Sequence, residues 1–202
     1  MDLEPELPVV PEGVTGGRTA GWWGMLMVIF TDGALFTLFL ASYFFLRFRS
    51  GPTWPPDGIP EPTVLFFSIM TGLLALAAIT MQWADFALRK GRRVRFWIGT
   101  ICTIVLGLGF LGLQAVEFLS EKTYFTPRTD AYGSIFYLTE TVHAAHVVVG
   151  VLLLGWLLWS TRNITAPGRT STVQIIGLYW YFLLIVAIAI LLSFYLHPRF
   201  WS

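Results

Sequence analysis

Tyr132-Gly133-Ser134-Ile135-Phe136-Tyr137-Leu138-Thr139-Glu140-Thr141-Val142-His143-Ala144-Ala145-His146-Val147-Val148-Val149-Gly150 opens an apolar run that contains no proline, and no lysine or arginine before Arg162. A run of this length exceeds the roughly 20 residues that a helix needs to cross the hydrocarbon of a bilayer. Yet Glu140, His143 and His146 stand in its first turns. A carboxylate or imidazole in hydrocarbon costs kilocalories unless it is paired or faces a cavity, so these side chains point to function or to a buried contact between helices. Other parts of the chain have to supply their partners.

The whole composition agrees with that reading. Of the 202 residues 55% are hydrophobic and 12% charged, about half the charged fraction of a soluble domain, taken as roughly 25%, and the mean hydropathy is +0.68. Thirteen Lys and Arg against 12 Asp and Glu leave a net charge of +1, with no broad basic field to hold nucleic acid. The single cysteine, Cys102, lies inside an apolar run. Alone it forms no intrachain disulfide, zinc cluster or iron–sulfur centre, and packing is its expected role. The N-terminus, Met1-Asp2-Leu3-Glu4-Pro5-Glu6-Leu7, is acidic and broken by proline where a secretory signal needs a cationic start and an apolar core. Residues 1–20 read as a flexible acidic tail ahead of one transmembrane domain, 21–202.

Five runs are long enough to span, at about 22–46, 63–88, 96–119, 132–161 and 172–197. The fold class is therefore all-α, a polytopic membrane helical bundle. The first run is interrupted by Asp32 and ends at Arg47 and Arg49. It is followed by Gly51-Pro52-Thr53-Trp54-Pro55-Pro56, too rich in proline for a helix and read as a stiff loop with an interfacial tryptophan. Asp85 and Arg89, four apart near the end of the second run, can pair along one face. Pro198, after His197, stops the fifth. Placing the basic turn 89–95 in the cytoplasm puts eight Lys and Arg inside against five outside. The N-terminus is then inside and the C-terminus outside.

In that frame the third run rises to the outer surface and the fourth returns from it, so Glu117 and Glu140 fall in one outer layer. At about 1.5 Å per residue, His143 and His146 sit roughly 5 and 9 Å deeper than Glu140. Gln114 and Glu117, three apart on the third helix, can face them, and Asp32 falls near the midplane. The expected inter-helix polar cluster is thus Gln114, Glu117, Glu140, His143 and His146. Three readings are open for it: mutual pairing that ties two helices, a role with protons or lipid headgroups, and a metal site. Glu140-x-x-His143 has the spacing of carboxylate-bridged di-iron bundles, but such a site wants a second pair and further carboxylates. Haem is poorly served by two histidines on one helix face. Asp32 has no basic partner in its own helix. It reads either as a hydrogen bond to Tyr179, Tyr181 or Thr80, or as a proton-exchanging carboxyl.

Several patterns carry no chemistry. Gly107-Leu108-Gly109-Phe110-Leu111-Gly112 matches a dinucleotide-binding glycine pattern, but lacks the preceding strand on which that motif depends. Gly99, Thr103 and Gly107 read better as a small-residue seam for close helix packing, and Tyr179-Trp180-Tyr181-Phe182 as packing between helices. Asn163-Ile164-Thr165 fits a glycosylation triplet that this orientation leaves in the cytoplasm.

Taken in order, Phe30-Thr31-Asp32-Gly33-Ala34-Leu35-Phe36, Trp54-Pro55-Pro56, Leu113-Gln114-Ala115-Val116-Glu117-Phe118, Tyr132-Gly133-Ser134-Ile135-Phe136, His143-x-x-His146-Val147 and Tyr179-Trp180-x-Phe182 resemble subunit III of the haem–copper terminal oxidases, the cytochrome c and quinol oxidase family. Five spans resemble its shorter bacterial form. The resemblance makes Asp32 the counterpart of the family's buried acidic residue. It places Glu117, His143 and His146 on a polar contact between helices. Where the family usually reads Trp-His-Phe-x-Asp in its last helix, this chain has Trp180-Tyr181-Phe182-Leu183-Leu184, which marks a divergent branch. Glu140 is unusual for its position.

What the resemblance implies is a multi-pass subunit of the bacterial inner membrane that holds no redox centre and has no catalytic residue. It would pack on the catalytic subunit I and other oxidase subunits, bind phospholipid, and support proton uptake and stability during turnover. Haem and copper are then expected in the partner subunits, and Asp32 is the proton-related candidate. The alternatives are an accessory membrane subunit of a nitric oxide reductase and a di-metal membrane oxidase using Glu117, Glu140, His143 and His146.

Overall fold

The computed structural model describes residues 19–50, 54–56, 58–59, 63–161 and 169–196, without the side chains of 169 and 170. Most of the expected N-terminal tail, the triplet 163–165 and the stop at His197 and Pro198 lie outside them. Among the described residues there are five long helices and no strand: α1 (Ala20–Ser50), α2 (Val64–Arg89), α3 (Arg93–Glu121), α4 (Ala131–Ser160) and α5 (Arg169–Ile190), which continues as a π-helical stretch, Leu191–Leu196. All five are long and apolar enough to cross a membrane, so the chain is a multi-pass membrane protein.

α2 and α3 form the tightest pair. Their turn closes because Gly91 takes a left-handed backbone, φ +69°. That conformation lets the Arg92 amide reach Ala87 O at 2.9 Å and the Gly91 amide reach Leu88 O at 2.9 Å, satisfying carbonyls that a helix end leaves open. Asp85 and Arg89 pair at the same end, Oδ2 to Nη2 at 2.6 Å. The helices come close along the small-residue seam. A Cβ on Gly99 would stand 2.9 Å from Ala84 Cβ and 3.1 Å from Thr80 O, and the Thr80 and Thr103 hydroxyls are 2.8 Å apart. One on Gly107 would meet the Trp180 ring at 2.8 Å, so the upper part of the seam admits α5.

α4 starts where Asp130 Oδ1 accepts a hydrogen bond from the Gly133 amide at 2.7 Å, a side-chain N-cap. Gly133 is obligatory there for space, since a Cβ would lie 2.5 Å from Thr126 O. α1 packs on α5 and α4 and turns large apolar side chains outward, among them Met27, Phe30, Leu38 and Phe48, as a helix solvated by lipid or by another protein does.

The structure adds to one expectation and corrects another. Trp54 is buried: its ring meets Tyr43 of α1 at 5.7 Å and Tyr132 of α4 at 5.2 Å, both edge-on. Trp54 reaches the end of the bundle where Tyr43, Tyr132, Phe136 and Phe194 build an aromatic layer. Cys102 is exposed on the outer face of α3 and does not pack in the core, because Gly99 and Thr103 take the buried positions of that stretch.

Candidate functional site

The ionisable side chains of the bundle divide into two groups on either side of His143. At the end where α3 finishes and α4 begins, Glu117 and Glu140 are almost wholly buried. The Tyr195 hydroxyl stands between them, 3.0 Å from Glu117 Oε1 and 3.0 Å from Glu140 Oε1. Gln114 donates from Nε2 to Glu117 Oε2 at 3.3 Å. Tyr195 comes from the π-helical end of α5, where Ser193, Phe194 and Tyr195 are buried in succession. Phe67 of α2 stacks on the Tyr195 ring at 4.4 Å, so four elements fix this hydroxyl. Glu121, one turn beyond Glu117, adds a third carboxyl beside a partly open cavity of about 160 Å³ that Glu117, Ser120 and Thr63 also line.

Deeper in α4, His143 is fully buried and its Nε2 lies 3.2 Å from Leu183 O. Phe36 and Phe110 meet its ring edge-on. One turn on, His146 turns away to α1. Its Nε2 is 3.4 Å from Asp32 Oδ2, and its Nδ1 is 2.7 Å from Val142 O. Tyr179 donates to the backbone carbonyl of His146 at 3.1 Å. Because Nδ1 can meet that carbonyl only as a donor, a neutral His146 has a bare lone pair at Nε2. That nitrogen faces the Asp32 carboxyl.

The sequence reading grouped Gln114, Glu117, Glu140, His143 and His146 together. The structure joins the first three through Tyr195, sets His143 on α5 and sends His146 to Asp32. Asp32 meets none of the three partners considered for it: Tyr179 bonds the His146 carbonyl, Thr80 bonds Thr103, and Tyr181 donates to Gln82 Oε1 at 2.7 Å. Among the described residues no group of three or more His, Cys, Asp or Glu is arranged to hold a metal ion. Glu140 and His143 share the spacing of a metal pair but turn to different protein partners.

The sequence matches the family model described as cytochrome c oxidase subunit III over residues 14–202. The chain belongs to the cytochrome c oxidase subunit III family. Relatives named cytochrome c oxidase subunit 3 include one from Thermostichus vulcanus, 28% identical over 186 residues that make up 88% of this chain and 87% of the relative. One from Synechocystis sp. is 30% identical over 179 residues, 86% of this chain and 74% of the relative. One from Anopheles gambiae is 30% identical over 185 residues, 86% and 68%. These identities make the chain a divergent member of the subunit III family.

In this subunit III the Tyr181 hydroxyl bonds α2 through Gln82, while Leu184 is half-buried. Tyr195 is the main residue that sequence reading missed. Its only signal was a hydroxyl in the last turn of α5, at the level of the Glu117–Glu140 layer. Glu121 lies just past the expected end of the third span at about residue 119, and the structure carries α3 on to it.

Proposed function

We propose that this subunit III is a non-catalytic accessory subunit of a haem–copper terminal oxidase, packing on the catalytic subunit I and carrying no redox centre of its own. Haem and copper belong to the partner subunits. The family match across residues 14–202 carries this reading. The geometry supports it in two ways. The buried carboxyls and imidazoles of the bundle are engaged by neighbouring side chains and carbonyls. Helix α1 turns a row of large apolar side chains to its surroundings, a surface suited to another membrane subunit or to lipid.

Lipid is part of the same proposal. Gly33, Phe36 and Leu40 of α1 and Phe182, Val186 and Ile190 of α5 line an apolar cleft of about 190 Å³, suited to a stretch of acyl chain. Asp32 lies one turn from Phe36, and its contact with the His146 imidazole at 3.4 Å supports its assignment to proton uptake. The membrane is the bacterial inner membrane, and the turn at Gly91 faces the cytoplasm, as the excess of basic residues around it favours.

Purification of the tagged chain from native membranes in mild detergent tests the proposal. A haem-bearing partner that reduces oxygen is expected to co-elute. A chain that elutes alone overturns it, and a partner that reduces nitric oxide but not oxygen assigns the chain to the reductase alternative.

A further inference from the structure

The Tyr195 hydroxyl has one hydrogen and two carboxylate oxygens at equal distance, 3.0 Å each. It can donate to only one of them. The other contact is a repulsive meeting of two acceptors unless that carboxyl carries a hydrogen and donates to the phenol oxygen. Two more oxygens, Glu140 Oε2 and Gln114 Oε1, are buried there without a hydrogen-bond partner, on side chains that are themselves almost wholly buried. At the Glu117–Tyr195–Glu140 contacts acceptors outnumber hydrogens, while the Tyr132 hydroxyl, which also faces the site, is itself buried without a partner. Unpaired acceptors in a medium of low dielectric are costly, and two adjacent carboxylates more so.

We propose that Glu117, Tyr195 and Glu140 form a binding site for one exchangeable proton, held between the two carboxyls through the phenol oxygen and traded with water in the cavity beside Glu121. A hydronium in that cavity gives its proton to the Glu117 carboxylate and leaves as water, and the charge of the carboxyl pair falls from −2 to −1. Glu117 O–H then donates to Tyr195, and Tyr195 O–H to Glu140. Moving both hydrogens one step along the chain of oxygens transfers the proton to Glu140 without displacing a heavy atom. The cavity, about 160 Å³ and partly open, has room for several waters and is lined by Thr63, Ser120, Glu117 and Glu121. The other titratable groups facing the site are Glu121 from α3 and Tyr132 and Tyr137 from α4, with Tyr43 of α1 behind Tyr132. α2 offers the uncharged Phe67 ring.

Infrared spectroscopy of the full-length chain, within the complex in which it purifies, reads this site through the C=O stretch of a protonated carboxyl. At neutral pH a band belonging to the site should be present, and should shift to lower wavenumber on exchange into D2O. Glu117→Gln and Glu140→Gln each put amide donors in place of a carboxyl and should each abolish the band. The double variant should lose no more than either single one, because one proton is shared. Tyr195→Phe, which removes the hydroxyl that bonds the acid, should retain the band and move it to higher wavenumber. A band that survives either glutamine substitution, fails to exchange in D2O, or loses twice the intensity in the double variant overturns the proposal. So does a band whose wavenumber Tyr195→Phe leaves unchanged, a result that a merely structural tyrosine would give.

Discussion

At the scale of the residue, what distinguishes the polar side chains is how many hydrogens each contact requires. Asp32 faces His146 Nε2 because the other imidazole nitrogen is committed to Val142 O. Asp32→Asn keeps the volume and removes the acid. It is expected to leave assembly intact and to slow proton-coupled turnover of the complex several-fold, or to shorten its lifetime in turnover. Unchanged rate, proton stoichiometry and lifetime would reject a proton role for this side chain. Glu117→Ala should instead act on stability. It strips Tyr195 and Gln114 of a buried partner, a loss of about 2–4 kcal/mol, and should lower the melting temperature further than Glu117→Gln, which still fills the site. Equal melting temperatures for parent and alanine variant would refute the tie between helices. The depth arithmetic from sequence set Glu117 and Glu140 in one layer, because rise per residue is fixed. It could not supply Tyr195 between them or Asp32 beside His146, since it orders residues along the membrane normal and not around it.

At the scale of the element, the spans were legible because hydrocarbon demands long uninterrupted apolar helices. Places where backbone departs from regular geometry were not. Nothing in the sequence announces that α5 ends in a π-helical turn over Leu191–Leu196, so the side of the helix on which Tyr195 falls could not be read from a 3.6-residue period. Trp54 escaped for a related reason, as proline-rich sequence announces a connector but not the direction in which it folds. Close approaches offer the cleanest tests. Gly99→Ala would set a methyl 2.9 Å from Ala84 Cβ and 3.1 Å from the Thr80 carbonyl, pushing α2 from α3 at a cost of about 1–3 kcal/mol. Gly112→Ala, where a Cβ meets nothing within 4 Å, should be neutral. Thermal unfolding of the two variants should separate them clearly, and identical curves would mean that the seam is not tight.

At the scale of the whole molecule, the family match and the five helices agree on a multi-pass subunit III, while its orientation rests on charge. In a Cys102→Ser background, Arg128→Cys should react with an impermeant maleimide applied to spheroplasts, and Lys90→Cys only after lysis. The opposite pattern would invert the bundle. The placement of α1 carries a consequence for how the chain is made. Its moorings include Asp32 to His146, Tyr43 to Phe194 and Phe36 to Phe182, all with residues that emerge from the ribosome about 110 to 150 positions later, a gap set by the residue numbers themselves. The helix delivered first into the membrane is therefore among the last to be fastened, and until α4 and α5 arrive it must wait in the lipid, Asp32 included, in the care of the insertion machinery.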